Sequence, residues 1–263
     1  MPELPDVEIF RGYFNATSLH QKTTGIEVRN AKVLKEISAR KLRSALVGHS
    51  FQSTRRHGKY LFAETDGTNW LVLHFGMTGY LKYFKNLDED EKHTRVLFSF
   101  ANGFHLAYVC QRLLGEVNVI ESPDDFIKER SMGADAFDVS YDRFKQIISG
   151  STAAIKSTLM NQEILAGIGN IYGDEILFQS KIHPKTKSNT LRDKTIQCMY
   201  RNMHKVWRTA VDKQADPDRF PRTYLLPNRA EGAKCPRCKQ KIQTLKVIGR
   251  TAYFCPKCQN KNS

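Results

Sequence analysis

Long apolar runs are absent from this sequence, as are internal repeats and low-complexity tracts. No segment approaches the roughly 20 apolar residues that a membrane-spanning helix requires, and no lipidation signal is present. The opening residues MPELPDVEIF are acidic and lack the positive leader and apolar core of a secretory signal. We therefore expect a soluble, cytoplasmic protein that does not bind a membrane.

Acidic residues are scarce relative to basic ones. Lys and Arg number 41 and Asp and Glu 27, which gives a formal net charge of +14. Such an excess favours a polyanionic partner, most simply nucleic acid, and steers its approach. An acidic membrane or a need for solubility would also explain the charge, so charge alone does not identify the partner. The 263 residues suffice for two domains and a small metal module.

Cysteine is rare but patterned: of the six cysteines, four form two Cys-x2-Cys pairs with sixteen residues between them. The four are Cys235, Cys238, Cys255 and Cys258. Thiolates at this spacing can close a tetrahedron around zinc. No histidine follows His204, so we expect an all-cysteine ligand set. Four protein ligands leave no open position for a substrate, so the ion would be structural.

Two other uses of paired cysteines fit less well. Disulfides need an oxidising compartment, which nothing in the sequence indicates. A thioredoxin-like site has one Cys-x-x-Cys beside a strand-helix unit, whereas these pairs flank a short predicted hairpin, residues 241–254. Cys110 and Cys198 lie outside the pattern, and we expect both to be buried small apolar residues.

The first part of the chain alternates β-rich runs with turns, which predicts a β-sandwich or barrel. Pro5 and the spacing of Val7, Phe10 and Phe14 predict a helix before the sheet region. The predicted strands are residues 24–33, 60–65, 70–73, 95–100, 104–109 and 116–120.

The apolar period changes beyond residues 122–140, a charged stretch with Pro and Gly that we predict to be a linker. Phe144, Ile147 and Ile148 then mark one helix, and a continuous apolar stripe over 196–210 marks a longer one. Residues 216–232 contain three prolines and predict an irregular loop. The predicted fold is α+β and multidomain: a β-sandwich with a leading helix at 1–130, a helical domain at 131–228 and a four-cysteine zinc-finger β-hairpin at 229–263.

Four further segments are informative when they are considered together. They are Pro2-Glu3-Leu4-Pro5, His57-Gly58-Lys59-Tyr60, Ala166-Gly167-Ile168-Gly169-Asn170-Ile171-Tyr172 and Gly249-Arg250-Thr251. In that order, and with the zinc spacing, nearly the whole chain resembles the formamidopyrimidine-DNA glycosylase and endonuclease VIII family of base-excision-repair enzymes. The resemblance implies a helix-two-turn-helix in the helical domain, one structural zinc and a monomer. It also implies double-stranded DNA with oxidised bases or abasic sites as partner, and a nucleoid-associated location if the source is bacterial.

The resemblance assigns the chemistry to the N-terminus. If Met1 is removed, Pro2 presents a secondary amine, and an N-terminal amine with an ordinary pKa of about 7.7–8.0 is substantially unprotonated at neutral pH. Attack on the sugar C1′ would give an iminium that expels the base and acidifies neighbouring sugar protons. Glu3 is expected to serve as the acid that assists ring opening. Without the resemblance, Pro2 would be an inert residue and Glu3 an ordinary helix N-terminal charge.

Three further residues would grip the DNA backbone. Lys59 matches the lysine that the family carries in the strand after a Gly, and it would pair with a phosphate or protonate a leaving group. Asn170 lies in a Gly-rich turn where small residues would let a phosphate approach backbone amides. Arg250 resembles the arginine at the tip of the family's zinc hairpin, where a guanidinium fork can clamp phosphates.

The family also extracts its target base from the stack, so the resemblance implies a residue that fills the gap. Met77, flanked by glycines at 76 and 79, resembles the family's intercalating methionine. Arg112 would face the orphaned base, and His93 would contact DNA. Where the formamidopyrimidine branch carries Arg-Arg-Phe-Gly, residues 112–115 read Arg-Leu-Leu-Gly, so Leu114 replaces an aromatic wedge by an aliphatic one. The opening Pro-Glu-Leu-Pro resembles that branch, and residues 216–229 match neither branch.

Two alternatives draw on the same charge and cysteines. One is a non-catalytic, damage- or structure-specific zinc-finger DNA-binding protein, for which a free Pro2 amine beside Glu3 would serve no purpose. The other is an RNA-associated zinc-ribbon protein, which leaves the N-terminal segments unexplained. The preferred lesion and the opposite base stay open at this point.

Overall fold

Two four-stranded antiparallel sheets form the first part of the chain. The computed structural model describes residues 1–260. The strands are β1 (Thr23–Val28), β2 (Phe51–His57), β3 (Tyr60–Thr65), β4 (Trp70–His74), β5 (Gly79–Phe84), β6 (Thr94–Phe100), β7 (His105–Cys110) and β8 (Glu116–Ile120). One sheet has the order β1-β6-β7-β5 and the other β2-β3-β4-β8. The predicted β-sandwich is confirmed.

Both sheets contribute alternate side chains to one apolar core, as period-2 strands with one buried face require. Leu61 and Leu73 come from one sheet and Phe98, Leu106 and Tyr108 from the other, and all five are fully buried. Helix α1 (Leu4–Ser18) packs on this core through Val7 and Phe14, as its spacing predicted.

Each predicted strand is present, although β1 ends at Val28 and a single 3-10 turn follows it, Ala31–Val33. The sequence did not reveal β2 or β5. In β2, Arg56 is 8% exposed and binds the Glu8 carboxylate at 3.0 Å, so a buried charge replaces the apolar residue that marks a strand. The short helix α2 (Ala39–Leu46) was also missed, because it buries only Leu42 and Leu46.

The predicted linker at 122–140 is wrong in part, because it contains helix α3 (Pro123–Glu129). Ser122 caps this helix by accepting a hydrogen bond from the Asp125 amide, and proline occupies the first turn. Only Pro123 and Phe126 are buried. The helix therefore lacks a sustained apolar period, and its signal lies in the cap.

The chain divides into two compact units, the first made of Met1–Pro2 and Asp6–Ser131. The second contains Glu3–Pro5 and the described residues from Met132 onward. Its helices are α4 (Tyr141–Ser149), α5 (Ile155–Met160), α6 (Asn170–Gln179) and α7 (Asp193–Asp212), and a short parallel pair joins β9 (Ala134–Asp135) to β10 (Leu165–Ala166).

The long helix α7 buries the predicted stripe together with Trp207. Cys198 lies off that stripe and is exposed, so its predicted burial is wrong, whereas Cys110 is buried as predicted. Helix α5 ends at Met160, and the residues at 165–166 pair with β9.

The predicted hairpin near the C-terminus is present as β11 (Gln243–Val247) and β12 (Arg250–Phe254). Ile248 and Gly249 form its two-residue turn with positive φ of 44° and 69°, the backbone that a tight antiparallel hairpin needs. Across residues 1–260, no helix combines the length and the apolar character that crossing a membrane would take.

Candidate functional site

The four patterned cysteines converge around the base of the hairpin. Their sulfurs all lie within 4.8 Å of one another, with 3.9 Å between Cys235 and Cys258 and 3.4 Å between Cys238 and Cys255. Tetrahedral zinc with Zn–S bonds of about 2.3 Å sets its sulfurs about 3.8 Å apart. The donor set and its geometry therefore fit one zinc ion with no open coordination position.

Two side chains attach the cysteine pairs of the zinc module to the helical part of the same unit. Arg237 stacks on the Phe178 ring at 4.4 Å and donates to the Phe178 carbonyl. Gln259 is fully buried, accepts from the Cys255 amide and donates to the Ile182 carbonyl, both at 2.9 Å. These contacts fix both cysteine pairs against α6 and the segment after it.

Glu3 is fully buried at the N-terminus of α6. Its carboxylate accepts hydrogen bonds from the backbone amides of Gly169 (3.0 Å), Ile171 (2.8 Å) and Tyr172 (3.1 Å). A helix N-terminus presents free N–H groups and a partial positive charge, so it suits an anion. The occupant here is the chain's own carboxylate.

The Gly-rich turn before α6 serves this contact. A Cβ at Gly169 would lie 2.3 Å from the Glu3 carboxyl carbon, so only glycine fits. The expectation that the small residues of this turn admit a DNA phosphate is therefore corrected for these amides, because Glu3 occupies them. Pro2, the residue before Glu3, is half-buried, and Met1 before it is exposed.

Asn170 is the first residue of α6 rather than part of the turn. Its side-chain oxygen is buried and has no hydrogen-bond partner among residues 1–260. Arg250 is exposed at the first position of β12, opposite Val247 and next to the hairpin turn. Arg250 is therefore accessible to a ligand, whereas the Asn170 side-chain oxygen is not exposed.

Lys59 lies in the two-residue turn that joins β2 to β3, where Gly58 has a φ of 55°. The structure brings it near His74, a residue that no sequence motif marks. Burial, together with the charges of Lys59 and Arg130, lowers the pKa of His74 to about 4. The His74 ring packs on Tyr60 with centroids 4.6 Å apart. At neutral pH the group beside Lys59 is therefore an uncharged imidazole.

Met77, Arg112 and Leu114 come together on one surface of the first unit. The Arg112 amide donates to the Thr78 hydroxyl at 3.2 Å. Gly76, with a φ of 58°, approaches the Leu114 backbone so closely that a Cβ would lie 2.5 Å from it. Met77 and Leu114 are 37% and 53% exposed, so both apolar side chains face solvent from adjoining loops.

His93 lies beside the start of the second of these loops. Its ring nitrogen is 3.3 Å from the Arg95 guanidinium, which also donates to the carbonyls of Cys110 (2.8 Å) and Gln111 (3.3 Å). The sequence does not reveal this bracing role of Arg95, because its position inside a strand gives no signal of it. His93 and the loop at 111–114 are thus held as one surface.

Three consecutive parts of the chain match described protein families. Residues 1–117 match the formamidopyrimidine-DNA glycosylase N-terminal domain and residues 132–220 the formamidopyrimidine-DNA glycosylase H2TH domain. Residues 232–261 match a zinc finger found in FPG and IleRS. A formamidopyrimidine-DNA glycosylase of Pelotomaculum thermopropionicum is 31% identical over 274 residues, covering 98% of this chain and 99% of the relative.

This chain belongs to the formamidopyrimidine-DNA glycosylase family. Solved structures of the family agree. The Lactococcus lactis Fpg in complex with abasic-site DNA superimposes with a TM-score of 0.88 at 28% identity, covering 99% of this chain and 100% of that one. A complex of the L. lactis enzyme with FAPY-dG DNA gives a TM-score of 0.89 at 28% identity, covering 98% and 100%.

The family expected from the motifs is thereby confirmed, and so is the fold class. The matched zinc finger and the four converging sulfurs establish one structural zinc ion in the glycosylase.

Proposed function

We propose that this chain removes oxidised bases from duplex DNA and cleaves the resulting abasic site, as a bifunctional DNA glycosylase and abasic-site lyase of base-excision repair. Pro2 is the nucleophile, Glu3 its acidic neighbour, and Lys59, Asn170 and Arg250 grip the strand. The zinc ion supplies no chemistry to the reaction; it holds the hairpin that carries Arg250.

The proposed reaction begins at the secondary amine of Pro2 after removal of Met1. The nitrogen lone pair forms a bond to C1′ as the bond from C1′ to the base breaks, and the departing base takes up a proton. The amine loses its own proton; the C1′–O4′ bond then breaks, its electron pair goes to O4′, which takes up a proton with Glu3 as the proposed acid, and the nitrogen lone pair completes the iminium. That cation acidifies C2′–H, so a base can remove the proton and expel the 3′ phosphate by β-elimination. A second, δ-elimination expels the 5′ phosphate, and water then releases the sugar fragment.

The observation that carries this proposal is the anchoring of Glu3. Hydrogen bonds from three amides of the α6 N-terminus and full burial fix the residue next to Pro2. A nucleophile held in one geometry avoids the entropic cost of being positioned during the reaction. The carboxylate also supplies a negative charge beside the proposed iminium. Both Glu3 carboxylate oxygens accept hydrogen bonds from backbone amides. These bonds support an anchoring role for Glu3 in addition to the proposed proton transfer.

The proposed DNA contacts use surfaces of both units. Met77 fills the gap left by the extracted base. Arg112 and Leu114 contact the base that has lost its pairing partner, and His93 contacts DNA from the same surface. Exposure of the two apolar side chains supports this role, since apolar groups that part base pairs must reach the duplex. Lys59, Asn170 and Arg250 would bind phosphates, and the net charge of +14 supports the strong electrostatic component.

The proposed partner is double-stranded DNA that contains oxidised bases or abasic sites. Complexes of the L. lactis enzyme with abasic-site DNA and with FAPY-dG DNA support it. We propose that the protein acts as a monomer in the cytoplasm, on the nucleoid if its source is bacterial. We also propose the functional division 1–130 for catalysis, 131–228 for helix-two-turn-helix binding and 229–263 for the zinc finger.

Borohydride reduction on a duplex with an abasic site tests the proposal, because it converts the iminium into a stable covalent adduct. The wild-type chain is expected to form the adduct, and Pro2→Gly much less of it. No adduct with the wild type, or equal amounts with both, would contradict the mechanism. A wild type that binds abasic-site DNA without forming an adduct would indicate a non-catalytic binding protein.

A further inference from the structure

A second anchor on α6 lies one turn beyond the Glu3 site. Asp174 is fully buried and accepts a hydrogen bond from the equally buried Lys156 ammonium on α5. Its other carboxylate oxygen is 2.8 Å from the Arg229 guanidinium and accepts from the backbone amide of Tyr253 at 3.2 Å. One side chain thus joins α5, the loop before the zinc module and strand β12.

Arg229 strengthens the connection to β12. Its guanidinium lies over the Tyr253 ring at 4.4 Å from the centroid. It also donates a long hydrogen bond of 3.5 Å to the Asn170 carbonyl. A planar guanidinium can make an ion pair and a ring stack at once, which a lysine ammonium cannot do in the same geometry. Arg229 therefore touches the first turn of α6 and the hairpin strand together.

The charges in this region compensate one another. Burial raises the pKa of Asp174, and the Lys156 and Arg229 charges act in the opposite direction. The charge of Glu3 acts on Lys156 in turn. Two acids and two bases thus form a nearly neutral group in which all but Arg229 are fully buried, so removing any one member leaves an uncompensated charge.

The consequence concerns Arg250. Tyr253 is three residues after Arg250 on the same strand. Helix α6, which carries Asp174, also binds the Glu3 carboxylate at its N-terminus. We infer that the Arg229–Asp174 pair is a positioning device that sets Arg250 relative to the N-terminus of α6, and hence to Glu3. The inference deepens the proposed function and rests on it, because it takes Arg250 to bind a phosphate.

A double-mutant cycle tests the inference. Arg229→Met is expected to weaken affinity for a duplex with a stable abasic-site analogue by about tenfold, the size of a typical coupling between residues of one network. In an Arg250→Ala background the same substitution is expected to change affinity by less than about twofold, because the residue that it positions is gone. Arg229→Lys should fall between, since it keeps the charge but not the planar stack.

Arg237 supplies a matched control. It also stacks on a ring at 4.4 Å and also joins α6 to the zinc module, but through Phe178 and away from β12. Arg237→Met should therefore have the same effect with Arg250 present or replaced. Zinc content, measured for every variant, should equal that of the wild type.

Equal effects of Arg229→Met in both backgrounds, or no effect in the wild type, would overturn the inference. If Arg229→Met does not fold, Tyr253→Leu takes its place in the cycle, because it removes the ring but keeps the amide bound to Asp174. The affinity cycle does not depend on catalysis. A wild type that forms no borohydride adduct would contradict the proposed function alone, and the cycle would still decide the role of Arg229.

Discussion

The Glu3 carboxylate accepts a hydrogen bond from the Tyr172 amide at 3.1 Å, across 169 positions of sequence. The contact groups Glu3–Pro5 with the helical unit, whereas Met1–Pro2 and the residues from Asp6 onward belong to the first unit. Pro2, the proposed nucleophile, directly precedes this anchored residue, so we expect changes at the start of α6 to alter the rate of the proposed reaction.

Gly169→Ala should separate catalysis from binding. Its Cβ would lie 2.3 Å from the Glu3 carboxyl carbon, so the carboxylate must move, and overpacking of this kind costs about 1–3 kcal/mol. We expect the rate of borohydride trapping to fall at least tenfold, while affinity for abasic-site DNA changes less than about threefold. Gly12→Ala is the matched control, because a Cβ there meets nothing within 4 Å. Equal losses of trapping and affinity would count against the anchoring role.

Glu175 should make the second unit less stable as the pH rises. This buried carboxyl accepts from the amides of Leu225 and Leu226, and burial raises its pKa from 4.5 to about 7. The folded state then holds a proton that the unfolded state has lost between those pH values. The contribution of this proton to the free energy of unfolding should therefore fall by about 3 kcal/mol between pH 4.5 and 7.

Glu175→Gln should remove that component. Urea unfolding followed by Trp207 fluorescence in a Trp70→Phe background reports on the unit that contains Glu175. The difference in the free energy of unfolding between the variant and its parent should vary with pH between 4.5 and 7. A difference that is constant from pH 4.5 to 7 would show that the carboxyl is ionised throughout.

His74 should act on the first unit with the opposite sign. Its pKa is lowered from 6.5 to about 4, so the unfolded state binds the proton more tightly. The stability that the neutral form contributes is complete above pH 6.5 and is lost as the pH falls towards 4, about 3 kcal/mol in all. Trp70 fluorescence in a Trp207→Phe background should show this loss, and His74→Gln should abolish it. Persistence of the slope in that variant would contradict a buried neutral imidazole.

Met77→Ala should slow excision from a lesion duplex by roughly tenfold but change the processing of a preformed abasic site far less. Only the first reaction bears the full cost of unstacking a base, a few kcal/mol. Leu87→Ala is a suitable control, because Leu87 is also an exposed apolar side chain of the sandwich unit but lies outside the Met77 loop. Equal slowing of both reactions would argue against a wedge.

The parts of the structure that could be predicted from the sequence are those that a local pattern decides. Runs of β-forming residues separated by turns revealed six strands, the stripe at 196–210 revealed α7, and cysteine spacing revealed the zinc site. These features depend on periodicity or on a ligand set that few other structures share. The family followed from several such segments in the right order.

The elements that were missed depend on contacts between distant residues. Strand β2 is not evident in the sequence because a charged residue, Arg56, occupies one of its buried positions, where it pairs with Glu8 and donates to the Gly58 carbonyl. Asp174, Arg229 and His74 carry no local signal, since their burial and partners arise from the fold. For the same reason the sequence suggested phosphate for the α6 amides, whereas a carboxylate from the start of the chain occupies them.

Peptide mapping of the borohydride-trapped complex tests the central claim most directly. Intact mass of the free enzyme first establishes whether Met1 is absent, and tandem mass spectrometry of the digested adduct then identifies the nitrogen that carries the sugar. We predict that the sugar fragment is attached to the N-terminal nitrogen of Pro2. Attachment to a lysine such as Lys59, or an adduct formed while Met1 is retained, would contradict the account.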